Sequence, residues 1–291
     1  MNGFVNICKP VGATASDMVV CVKHILHEKA GHLGTLDPGA SGVLPIAVGQ
    51  ATRLFDLLTN KVKYYRAFFT FGKTTDTLDS YGVVTDSCDV VPSLEQINAV
   101  LPQLVGEQQQ LPPIYSAISV GGVRAYKLAR NGEEVELKKR PVTIYEYKCL
   151  QQVSEDTFIF DIKCSGGTYI RSLVRDLAEQ LGTVGYMSGL IRLASGCFDI
   201  AESVTVEELR ERGTECLYDI TYPLRDLPTV EFADKLYQDI DFGRRVKCDY
   251  VGEGYFKVVC RNVLFGVGHN DHGNLKLTYY LKNAVNNPVV Q

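Results

Sequence analysis

Residues 31–45 read GHLGTLDPGASGVLP. Glycines at 31, 34, 39 and 42, with Pro38 among them, predict that residues 31–42 form a tight irregular loop. That loop carries one imidazole, His32, and one carboxylate, Asp37. Such a composition lets a second molecule approach the backbone closely, which makes the loop a candidate active-site element. The competing reading is a turn in which Asp37 only accepts hydrogen bonds from its neighbours ahead of Pro38. The loop lacks the Gly-Lys-Ser/Thr ending of a phosphate cradle and the alternating oxygen ligands of a calcium loop.

On the N-terminal side, Phe4–Cys8 is a short apolar run closed by Lys9-Pro10 and Gly12, a strand and a turn. Thr14 and Asp17 have capping-box spacing, and Met18, Val22, Ile25 and Leu26 repeat on one helical face. On the C-terminal side, Tyr64–Phe71 alternates, with Tyr65, Ala67, Phe69 and Phe71 predicted to face the core and Arg66 and Thr70 the other side. Ser93 with Gln96 opens a second helix, and Thr205 with Glu208 another that ends near Gly213. Val142–Val153 and Thr157–Cys164 read as paired strands. A strong helix follows, with Ile170, Leu173, Val174, Leu177 and Leu181 on its apolar face and Gly182 as its stop; Arg171 and Arg175 fall one turn apart on its polar side. Beyond Pro223 and Pro228 the pattern is β, with candidate strands at Tyr255–Cys260, Val263–Val267 and Leu275–Leu281. The fold class expected is α+β, a mixed and mostly antiparallel sheet flanked by helices, followed by a small β-rich module. Residues 1–227 would form the larger domain and 228–291 the smaller.

The chain has 291 residues, 45% hydrophobic and 22% charged, ordinary globular usage that excludes disordered, collagen-like and coiled-coil classes. No apolar stretch is long enough for a membrane helix, and the first residues lack a basic flank followed by an apolar run, so a cytoplasmic protein is expected. The nine cysteines contain no Cys-x-x-Cys pair and read as reduced thiols, mostly small core hydrophobes, without a metal or redox role. A net charge of −4 excludes a globally basic nucleic-acid coat. Any RNA contact would fall to local clusters: Lys61, Lys63 and Arg66; Arg124, Lys127 and Arg130; Lys138, Lys139 and Arg140; Arg244, Arg245 and Lys247.

Chemistry narrows these candidates. An aspartate acting as a nucleophile must stay ionised, and a guanidinium within a few ångströms would both lower its pKa and orient it, a task Arg171 could perform. Tyr65 and Tyr169 could stack on an extruded base, although an aromatic in an apolar strand is ordinarily core.

Several blocks of the chain resemble the TruB family of tRNA pseudouridine synthases. They are NICKPVGATASD at 6–17, the loop at 31–45, GQATRL at 49–54, YYRAFFTFGKTTDTLDSYG at 64–82, PPIYSAISVGGVRAYKLARNG at 112–132 and CSGGTYIRSLVRDLAEQLG at 164–182. They cover about residues 3–225 in the family's order. The resemblance implies the pseudouridine synthase fold, with residues 113–141 as an RNA-gripping insertion and a PUA-like module at 228–291. It implies Asp37 as the catalytic carboxylate, Arg171 as its ion-pair partner and Tyr65 against the target base. Tyr169 and Leu190 would line the pocket, His32 would hold displaced bases, and Arg53, Arg124 and Tyr126 would grip the T-arm of tRNA. Ser119 and Val123 stand where the family pattern leads one to expect basic residues. The implied reaction converts the uridine at position 55 of the T-loop to pseudouridine, with no cofactor, metal or guide RNA, in a monomer. A non-catalytic tRNA-folding chaperone and a synthase acting on another RNA are the competing readings.

Overall fold

Alternation decides which side of each strand is buried. In the strand Gly3–Lys9, Val5 and Ile7 enter one core while Phe4 enters another. In Ala40–Val48, Leu44, Ile46 and Val48 join the first and Val43 and Ala47 the second. Both strands are therefore covered on two sides, which explains their nearly continuous apolar character. The computed structural model describes residues 1–59, 61–116, 119–120, 122–124 and 137–284.

The principal sheet runs in the order Gly3–Lys9, Ala40–Val48, Gly185–Ser195, Lys63–Phe71, Thr157–Cys164, Arg140–Gln152, Gly106–Gln110, with two short strands, Ala30–His32 and Phe198–Asp199, attached to it. Neighbours pair antiparallel except Ala40–Val48 with Gly185–Ser195, which run parallel through Leu190↔Ala40, Ile191↔Ser41 and Arg192↔Gly42. The mixed, mostly antiparallel sheet expected from sequence is thus present. Helices Ala15–Leu26, Leu94–Val100, Ile170–Gln180 and Val206–Arg212 supply apolar faces to the first core. All three capping boxes are formed, at Thr14/Asp17, Ser93/Gln96 and Thr205/Glu208.

The structure departs from the sequence reading in several places. The loop expected over 31–42 is shorter, because Ala30–His32 and the segment from Ala40 onward are strands. The strand Gly185–Ser195, which the pattern did not announce, lies in the middle of the sheet; its GYMSGLIRLAS lacks clean alternation because register shifts fall between Met187 and Gly189 and between Arg192 and Ala194, and a buried arginine takes an inward position. The cysteines are less uniformly core than expected: Cys164, Cys216, Cys248 and Cys260 are buried and the other five partly exposed.

A second sheet of Thr229–Phe232, Phe256–Cys260, Val263–Asp271 and Asn274–Tyr280 has its own core around Phe232, Ile240, Val258 and Phe265. Val267, Leu281 and Ala284 from this segment pack with Phe4, Val43, Ala47 and Leu54, so the second sheet is seated against the first.

At the parallel junction, Gly42 has φ +100°, and a Cβ there would overlap the carbonyl oxygen of Arg192. Gly42→Ala is expected to lower stability by more than about 1 kcal/mol through the strained backbone alone. Urea unfolding checks this, and an unchanged midpoint would show that the two strands can separate without loss.

Candidate functional site

Residues 33–39 leave the sheet as a loop and return to it, pinned at several backbone groups on the way. Leu33 and Leu36 are buried and anchor the loop to the two cores. The amide of Leu33 donates to Pro45 O at 2.8 Å, Ala40 to Asp37 O at 3.0 Å, and Gly12 to Pro38 O at 2.8 Å. Two buried cations hold further carbonyls. Arg192, fully buried, donates from Nε to Val43 O (2.6 Å), from Nη1 to Thr35 O (3.2 Å) and from Nη2 to Gly34 O (3.4 Å). Lys9, also fully buried, donates from Nζ to Pro10 O (2.8 Å), Ala13 O (2.7 Å) and Pro38 O (3.4 Å). The loop therefore presents Asp37 from a backbone with little freedom to move.

Arg171 meets Asp37 there, with Nε 3.1 Å from Oδ2. The Asp37 side chain is 36% exposed and the Arg171 side chain 7%. Although close, Nε has no aligned hydrogen-bond acceptor, so the contact is an ion pair rather than a directed hydrogen bond. The remaining donors of Arg171 are used: Nη1 donates to Thr77 O at 3.0 Å and lies 3.3 Å from Asp79 Oδ2, and Nη2 donates to Tyr115 O at 3.1 Å. The polar side of the helix, where Arg171 was expected, is covered by the segments around Thr77 and Tyr115, and that is why this arginine is buried. Asp79 is fixed in turn. Its Oδ1 accepts from the Thr77 hydroxyl at 2.7 Å and from the Tyr81 amide at 3.0 Å. Gln110 secures the start of the helix, accepting from the Tyr169 amide at 2.8 Å and donating to the Tyr169 carbonyl at 3.1 Å.

Tyr65 and Leu190 are buried beside this ion pair's loop. The pairings Tyr65↔Arg192 and Ala67↔Leu190 put Tyr65, Leu190 and Arg192 on one face of the sheet, and Ala40 aligns with Leu190. Burial pushes the Tyr65 hydroxyl up to about 12, with Arg192 opposing, so it is a neutral phenol at neutral pH. His32 is held below the usual histidine range by burial and by the charge of Arg192, so it is a neutral imidazole there; its buried Nδ1 has no partner. Burial likewise holds Lys9 and Lys63 down, each to about 8. Four buried cations, Lys9, Lys63, Arg171 and Arg192, thus stand behind and beside two carboxylates. The neighbourhood is cationic although the whole chain carries −4, which suits an anionic ligand.

Other predicted residues are placed differently. The Tyr169 ring, at the helix N-cap, carries the Arg140 guanidinium 5.2 Å from its centroid. Arg53 is exposed and reaches Tyr280 O of the second sheet at 3.4 Å, away from Asp37. Arg124 lies in the two-stranded hairpin Ser119–Val120/Val123–Arg124; Tyr126, Lys127 and Arg130 lie outside the described residues. Of the basic clusters named from sequence, Lys63 is buried and donates to Thr59 O and Lys61 O, and Arg66 is engaged by Asp161 through two 2.8 Å bonds, so neither is free to meet RNA. The sequence reading missed Lys9, Asp79, Gln110 and Arg192. The only available signal was the turn-rich TTDTLDSYG at 74–82, since burial of a polar residue leaves no periodic trace.

Two concavities lie elsewhere: about 560 Å³ among Tyr250–Tyr255, His269 and His272, and about 330 Å³ bounded by Leu33, Lys61, Cys197, Phe198 and Arg225. Neither includes Asp37 or Arg171. Asp37 instead opens onto the outer surface, where a macromolecular ligand can itself close the site. Among the described residues no helix is long and apolar enough to cross a membrane.

Residues 23–170 match the family model described as TruB family pseudouridylate synthase (N terminal domain), and 171–224 match the tRNA pseudouridylate synthase B C-terminal domain. A tRNA pseudouridine synthase B of Alkaliphilus oremlandii is 37% identical over 294 aligned positions, covering 97% of this chain and 98% of that protein. One from Caldanaerobacter subterraneus is 45% identical over 217 positions, covering 74% and 76%. The fold is similar to that in a crystal structure of a Cbf5-Nop10-Gar1 complex, with TM-score 0.71 at 24% identity over 94% of this chain and 83% of that one. The two carboxylates at Arg171 differ in support, and their removal should differ in consequence. Asp79→Ala is expected to destabilise the protein by about 2–4 kcal/mol, since it strips a buried charge and two donors of their partner, and Asp37→Ala by under about 1 kcal/mol. Urea denaturation ranks them, and the reverse order would refute the assignment of Asp79 as the main support. Lys9 offers a pH test. Between about pH 8 and pH 10 the unfolded chain keeps the Lys9 proton that the folded protein releases, so the part of the stability due to Lys9 rises with pH. The stability of the wild type relative to Lys9→Met should therefore increase over that interval; parallel stability curves would mean that folded Lys9 holds its proton throughout.

Proposed function

The chain belongs to the TruB family of pseudouridylate synthases, and from that premise we propose that it isomerises uridine to pseudouridine at position 55 in the T-loop of tRNA, with Asp37 as nucleophile. The observation that carries this reading is the 3.1 Å ion pair between Arg171 and a partly open Asp37 on a glycine-lined loop. The reaction breaks the bond between N1 of the base and C1′ of the ribose, turns the base, joins C5 to C1′, removes the C5 proton and leaves a proton on N1. Redox state and composition do not change, so no cofactor is required. The protein must supply a nucleophile held in one place and a pocket that retains the detached ring. Arg171 keeps the carboxylate oriented, Tyr65 offers a neutral aromatic wall against the base, and Leu190 closes the apolar side.

The target base must leave its stack before Asp37 can reach it, and a loop nucleotide is extruded at lower cost than one in a duplex. His32, a neutral and partly exposed imidazole on the loop, is suited to hydrogen-bond a displaced base rather than a phosphate. The RNA grip is assigned to Arg53, Arg124 and Tyr126, and Tyr169 lines the pocket with Leu190. Residues 1–227, with the insertion 113–141, form the catalytic domain in this reading, and 228–291 a small PUA-like RNA-binding domain. The enzyme would act as a monomer in the cytoplasm without guide RNA.

Incubation of the wild-type chain with a T-arm hairpin should yield the carbon-linked isomer at the position equivalent to 55, detected by mass spectrometry. Asp37→Asn should give no product while binding the hairpin within a few-fold of wild type. A modified ribosomal fragment with an untouched hairpin would overturn the tRNA assignment, and unchanged product from Asp37→Asn would overturn the nucleophile.

A further inference from the structure

Tyr81 is 65% exposed, yet it belongs to a turn held by several hydrogen bonds. Its amide donates to Asp79 Oδ1 at 3.0 Å, and that carboxylate, through Oδ2, faces Arg171. Around it, Leu78 N donates to Thr75 O (3.1 Å), Val83 N to Asp76 Oδ1 (2.8 Å), the Thr75 hydroxyl to Asp79 O (2.7 Å) and Met187 N to Leu78 O (3.0 Å). The segment is therefore a rigid turn docked on the central strand Gly185–Ser195. The ring itself rests on Gly39, two residues after Asp37; a Cβ at Gly39 would overlap Tyr81 Cε2 and crowd Cδ2. Gly39 is not in the positive-φ region, so glycine is required at this position for room and not for conformation.

The ring stands at the rim of the site with most of its surface in water, two residues along the loop from Asp37 at its contact with Gly39. The cationic surroundings and the nearby nucleophile specify a nucleic-acid ligand, and a flat π-surface beside an extrusion site is a seat for a base. We infer that Tyr81 is a stacking platform for the nucleotide adjacent to the extruded uridine, taking up a base that loses its neighbour when the target leaves the stack. The inference rests on the RNA-isomerase reading above. It assigns Tyr81 a substrate-binding role that acts on affinity: the rigid turn orders the ring in advance, so little freedom is lost on contact.

The test uses the T-arm hairpin with 2-aminopurine in place of the base next to the target uridine, and the full chain as wild type, Tyr81→Ala and Tyr81→Phe. Wild type and Tyr81→Phe should quench the fluorophore and bind alike, because stacking needs the ring and not the hydroxyl. Tyr81→Ala should lose the quenching and raise Kd and KM by about ten-fold, as expected for one base–aromatic stack, with the single-turnover rate at saturating RNA and the thermal unfolding midpoint little changed. Equal Kd and quenching for Tyr81→Ala and wild type, with wild-type product formed normally, would overturn the stacking role and leave the enzymatic reading standing. A loss confined to the midpoint or to the saturated rate would also overturn it, assigning Tyr81 to support of the loop. A wild-type chain that neither binds nor modifies the hairpin would overturn both.

Discussion

A guanidinium removed from water must have its charge and its donors answered by the protein, and the arrangement around Arg171 follows from that requirement. Its partners come from three distant parts of the chain: Asp37 from the glycine loop, Thr77 and Asp79 from a turn after the third long strand, and Tyr115 from the connection beyond Gly106–Gln110. Each segment must be in place for the others to be satisfied. The ion pair is for this reason a consequence of the whole fold, and the carboxylate at its open side inherits that rigidity.

Cationic supports recur on the other side of the loop. Lys9 and Arg192 bind carbonyls and no carboxylate, so their charge is compensated by backbone dipoles and by Asp37 at longer range. Replacing either with an apolar residue would leave carbonyl oxygens buried and unpaired. The lowered pKa of Lys9 is the energetic mark of this arrangement: burial is tolerated because holding the Asp37 loop demands it.

Much of this was legible in the sequence wherever a local rule coincided with the global fold. The pairs Thr14/Asp17, Ser93/Gln96 and Thr205/Glu208 marked helix starts because capping is a short-range interaction, and Tyr65, Ala67, Phe69 and Phe71 declared a buried strand face by their period. Asp37 and Arg171 could be chosen as a pair from chemistry and resemblance. What could not be read was burial imposed from outside an element. Arg171 sits on the polar side of its helix by every periodic criterion and is buried only because two remote segments cover it. Asp79 and Gln110 look like ordinary turn and edge residues until the atoms they hold are known, and the central strand Gly185–Ser195 is disguised by Gly189 and Arg192.

That central strand also bears on how the molecule comes into being. It is inserted between Ala40–Val48 and Lys63–Phe71, both of which emerge from the ribosome well over a hundred residues earlier. Until about two-thirds of the chain has been synthesised, the two older strands have no common neighbour, and Asp37 lacks both its guanidinium partner and the arginine behind its loop. Nascent chains must wait, with apolar strand edges unpaired, for a late segment to slot in, which makes folding slow by its topology and confines the chemistry to the nearly finished polypeptide.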